Sequence, residues 1–129
     1  MLNPKADKSI VDGLSTLALA QLGDAVFELM VRTKLCLDGA GTATNLHMLR
    51  VRLVNAAAQS GAARKLLPYL TQEEKMIFMK GRNTKPSNIP KAATRSQYGS
   101  ATALEALFGW LYLNNRIDRL NELFEIINS

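Results

Sequence analysis

The chain has 129 residues, 47% of them hydrophobic and 21% charged, which is enough for one buried core and too little for two. A single cysteine, Cys36, excludes an internal disulfide and fits a reducing, cytoplasmic setting. The formal charge of +5 is unevenly spread: ten Lys/Arg against two Glu lie between Arg50 and Ser100, and six basic against nine acidic residues lie elsewhere, so an anionic partner is expected, nucleic acid before membrane.

In chain order the pattern is helical throughout, with no alternating strand pattern, and the expected fold class is all-α, a helical bundle. Residues 1–12 read as a loose lead-in, without the apolar run of a signal peptide. Ser15 or Thr16 can cap a long helix to about Leu37, ended by Asp38-Gly39-Ala40-Gly41. Cys36 lies in the apolar end of this helix and is expected to be a small buried hydrophobe. Thr44 or Asn45 can cap a second helix to about Ser60, broken at Gly61. A short helix, Ala62 to Leu67, stops at Pro68. Thr71 and Glu74 have the spacing of a capping box, for a helix to about Lys80. Gly81 to Arg95 reads as a loop with Pro86 and Pro90, followed by helices over about Gln97–Asn114 and Ile117–Ile127. No stretch is long and apolar enough to span a membrane.

Two acids stand out because they interrupt the two most apolar of these helices. Asp24 lies in LGDAVFEL (Leu22 to Leu29) and Glu105 in ALEALFGWLYL (Ala103 to Leu113). A buried, unpaired carboxylate is costly, so each is expected to have a partner or a cation. Gln21, Asp24 and Glu28 share one face of the first helix, and Thr102, Glu105, Gly109 and Tyr112 follow a stripe along the late one. Gly23 with Ala25, and Ala106 with Gly109, allow the two backbones to approach closely. Converging carboxylates are hard oxygen ligands of the kind magnesium takes. Glu28 has two possible roles: holding a water of the metal, or pairing with Arg32 four residues on.

These motifs resemble the ribonuclease III family. LGDAVFE (Leu22 to Glu28) is similar to its signature, and EALFGWLYL (Glu105 to Leu113) to its second acidic helix. LRVRLVNAAA (Leu49 to Ala58) and GRNTKPSNIPK (Gly81 to Lys91) fit between them, and the resemblance covers roughly residues 14 to 125. It is strongest to the short bacterial subfamily, Mini-ribonuclease III. Only 24 residues follow Glu105, so the double-stranded-RNA-binding domain of the longer members is expected to be absent. The family's further acids are replaced by Ala20, Ala56 and Thr102, and its usual aromatic dimer contact by Gln21.

The resemblance implies one catalytic domain over residues 1–129, homodimeric, with Mg²⁺ held by Asp24 and Glu105. It implies an endoribonuclease that cleaves double-stranded RNA to 5′-phosphate and 3′-hydroxyl ends. Substrates of this subfamily are the two ends of the 23S rRNA precursor, and a ribosomal protein is a possible further partner. Phosphate contacts are expected from Lys80, Arg82, Lys85, Lys91 and Arg95 on the basic loop, extended by Arg50 and by His47. Phe27, Met30 and Val31 suit either a subunit interface or the core of one subunit. Trp110 and Tyr112 are expected in the core, because a duplex hides its bases. The competing readings are a non-catalytic ribonuclease III-like RNA-binding module in ribosome assembly, and a helical DNA-binding regulator. The second needs an exposed recognition helix, whereas the basic residues fall mostly on the loop.

Overall fold

One helix, α6 (Arg95–Leu113), forms the axis of the molecule and is packed on by α2 (Thr16–Leu37), α4 (Ala56–Leu66) and α5 (Gln72–Arg82). Eleven of its nineteen residues are buried, so it has no solvent face along most of its length. The computed structural model describes residues 2–84 and 94–129; the remaining helices there are α1 (Lys8–Gly13), α3 (Ala43–Val54), α7 (Ile117–Ile127) and a short 3-10 helix over Leu67–Tyr69, and no strand occurs among the described residues. The all-α class expected from the sequence is what the chain adopts.

Local signals explain most boundaries. The Ser15 hydroxyl accepts from the Ala18 amide at 3.0 Å and starts α2. Gly39 and Gly41 take positive φ values of 89° and 75°, which ends the helix there. Thr71 and Glu74 form the expected capping box, and Thr94 with Gln97 forms a second. Several boundaries depart from expectation, the first being the start of α3, which is capped not by Thr44 or Asn45 but by Thr42, whose hydroxyl accepts from the Asn45 amide at 3.2 Å. The break between α3 and α4 falls at Asn55, whose side chain accepts from the Ala58 amide at 2.8 Å and caps a new helix. Gly61 then lies inside α4, where neighbouring packing outweighs its weak helix propensity. Gly81 is also helical: it is buried against α6, where a Cβ would lie 2.7 Å from the Ala103 Cα. The lead-in contains α1, held by Val11, which is buried.

The core is Leu, Val, Ala and Phe from α2, α4, α5, α6 and α7. Phe27 packs edge-on against both Phe108 and Phe124, with ring centroids 5.6 and 6.0 Å away. Phe27 and Val31 are thus core residues of one subunit. Trp110 is buried as expected, under the Arg116 guanidinium at 4.7 Å from the ring centre. Cys36 is exposed, contrary to expectation, because the end of α2 beyond Leu35 projects past the core. No helix among the described residues is long and apolar enough to cross a membrane.

Candidate metal and nucleic-acid site

Two glycines bring the acids together. A Cβ at Gly23 would lie 1.5 Å from the Glu105 carbonyl oxygen, and one at Gly109 would lie 2.1 Å from the Leu19 carbonyl oxygen. The backbones of α2 and α6 therefore touch where no side chain fits between them. Asp24 follows Gly23, so its carboxylate emerges beside that of Glu105, within hydrogen-bonding reach.

The two acids are not equally buried. Asp24 is exposed and Glu105 half-buried, so α2 is less enclosed than its apolar sequence suggests. The reason is rotational: Gly23, Val26 and Phe27 take the inner face, and Asp24 and Ala25 turn outward. The consequence falls on Glu105. Burial, then the hydrogen bond and the negative charge of Asp24, push its pKa up to about 8. Among the described residues no ion pair neutralises either acid. Two adjacent carboxylates, one of them resisting ionisation for want of positive charge, suit a small hard cation.

The donor set stops at two. No cluster of three or more His, Cys, Asp or Glu occurs among the described residues. The Thr102 hydroxyl is turned back to the Tyr98 carbonyl at 2.9 Å, and Ala20 is buried, so neither adds a ligand. Magnesium tolerates this, since it keeps several waters and takes one or two carboxylates together with substrate phosphates.

Glu28, one turn beyond Asp24, has both oxygens engaged. Oε2 lies 3.0 Å from Arg32, as the spacing suggests, and Oε1 lies 2.8 Å from Nη1 of Arg50 on α3. His47 Nδ1 is 3.3 Å from the other Arg50 nitrogen. Arg50 is thus drawn inward, while His47 stays exposed. Of the basic segment, Lys80 and Arg82 are exposed in the last turn of α5, and Arg95 is exposed in the first turn of α6. All three are therefore helical. Lys85 and Lys91 lie outside the described residues.

One buried pair had no sequence signal beyond its cap. Glu74, only 2% exposed, receives Arg119 Nε at 2.9 Å and Nη2 at 2.8 Å. Burial opposes its charge, but the Arg119 and Thr71 hydrogen bonds prevail and its pKa is lowered. The pair ties α5 to α7.

Residues 17–116 match the ribonuclease III domain. Over 112 residues the chain is 39% identical to Mini-ribonuclease 3 of Symbiobacterium thermophilum, covering 87% of this chain and 86% of that protein. It is 42% identical over 128 residues to Mini-ribonuclease 3 of Synechocystis sp., covering 97% and 87%. The crystal structure of a Fusobacterium nucleatum protein superposes with a TM-score of 0.81 at 33% identity, covering 88% of this chain and 92% of that one.

Proposed function

The chain belongs to the ribonuclease III family, and from that membership we propose a Mg²⁺-dependent endoribonuclease that cleaves double-stranded RNA to 5′-phosphate and 3′-hydroxyl ends. The observation that carries the reading is the pairing of Asp24 with Glu105 across the glycine contact of α2 and α6. When bound, the ion supplies Lewis acidity for hydrolysis of a phosphodiester. Asp24 and Glu105 would hold it. Glu105 releases its proton on binding, and the exposure of Asp24 leaves room for an RNA phosphate beside the pair.

Lys80, Arg82 and Arg95, with Lys85 and Lys91, would meet the phosphates of the duplex, and exposed His47 can add a contact. Such contacts read A-form shape rather than sequence. The substrate of this reading is the 23S rRNA precursor, cut in the cytoplasm, with a ribosomal protein able to present the RNA.

The working form is a homodimer, so that two sites cut the two strands. An apolar cleft of about 460 Å³ between α2 and α7 supports it, lined in part by Leu22, Ala25, Leu29, Met30 and Leu120. Leu29, at 54% exposed, is an apolar side chain left open in the single subunit.

The test offers RNA duplex, single-stranded RNA and DNA duplex to the pure protein with Mg²⁺. Cleavage of the RNA duplex alone is expected. Tight binding of that duplex without any cut would favour the non-catalytic module instead.

A further inference from the structure

Helix α3 buries none of its residues fully. Its least exposed residues form a single stripe at four-residue spacing, Leu46, Arg50 and Val54, each half-buried. The middle of that stripe is a cation, with its side chain only 17% exposed and its guanidinium 2.8 Å from Glu28. Glu28 is 28% exposed, and Arg32 holds its second oxygen. With each oxygen engaged by a guanidinium group, the charge of Glu28 is balanced within the protein.

We propose that Glu28 is a positioning residue: its ion pair with Arg50 pins α3 to the helix that carries Asp24 and so holds the exposed His47 and Arg52 of α3 in place for RNA. This rests on the endonuclease reading for its functional part. A half-buried charge-assisted hydrogen bond is stronger than a surface pair, and here it sits where apolar burial is thin. Without it, α3 frays from α2, and RNA binding must reorder it. The substrate then binds more weakly, while the metal and the chemical step are untouched.

The test is a cycle of Glu28→Ala, Arg50→Ala and the double variant, with Arg32→Ala as control. It uses amide exchange in α3, steady-state cleavage of an RNA duplex, and Mg²⁺ titration of the protein alone. Each single variant is expected to speed α3 exchange about tenfold, the double variant no further, and Arg32→Ala hardly at all. KM should rise about tenfold with kcat and Mg²⁺ affinity within about twofold of wild type. Unchanged α3 exchange, or additive effects in the double variant, would overturn the pin. A fall in kcat and Mg²⁺ affinity at unchanged KM would make Glu28 part of the metal site instead. Exchange does not depend on cleavage. A wild type that leaves the duplex uncut would therefore defeat the endonuclease reading and still decide whether the pin exists.

Discussion

Glu105 is the residue whose chemistry depends most on its surroundings. With its pKa raised to about 8, it is largely protonated at neutral pH in the cation-free protein. The sign of the linkage follows. An acid whose folded pKa lies above its unfolded value of 4.5 favours folding below 4.5, and that contribution is lost as pH rises through 8. Cation-free protein is therefore expected to melt at lower temperature as pH rises over that window, and Glu105→Gln to flatten the trend. Calorimetry in EDTA across the range checks this. Mg²⁺ must displace the same proton, so its affinity should rise about tenfold per pH unit below 8. The pair was legible in the sequence because acids are rare in apolar helices. Their unequal burial was not, since the rotation of α2 depends on Gly23 meeting α6. The inward turn of Arg50 was equally hidden, because Glu28 lies 22 residues away.

Elements locate those residues, and the α2–α6 contact is the least tolerant of change. At Gly23 a methyl group would overlap the Glu105 carbonyl oxygen, a backbone atom that cannot step aside. Gly23→Ala should cost at least about 3 kcal/mol or prevent folding, read from urea denaturation. The α5–α7 tie behaves differently. Glu74 has a lowered pKa, so its contribution is present above its unfolded value and is lost as pH falls through the folded one. Glu74→Gln leaves Arg119 with the exposed Glu122, 2.7 Å away, as counter-charge and removes its buried one, and a loss of about 3 kcal/mol at neutral pH, shrinking in acid, is expected. Caps at Ser15 and Thr71 and the glycine turn after α2 were legible because each is a local signal. The position of the α3–α4 break was not. Asn55 and Gly61 both carry breaker chemistry, and tertiary packing kept Gly61 helical.

At the scale of the molecule, charge and the apolar cleft set the association behaviour. Charge reversal at Lys80 and Arg82 should weaken RNA binding and reduce its salt dependence by about one unit of slope for each phosphate no longer neutralised. Leu29→Glu, which places a charge in the cleft, should shift the protein toward monomer in sedimentation without unfolding it. The central claim is that Asp24 and Glu105 together are this chain's share of a cation site that cleaves RNA. Its most direct measurement is cleavage of a perfect RNA duplex by wild type, Asp24→Asn and Glu105→Gln, each with Mg²⁺ and with EDTA. The expected result is cutting by wild type with Mg²⁺ only, a loss of at least about a hundredfold in both variants, and duplex binding retained. Wild-type rates in either variant, or undiminished cutting in EDTA, would contradict it.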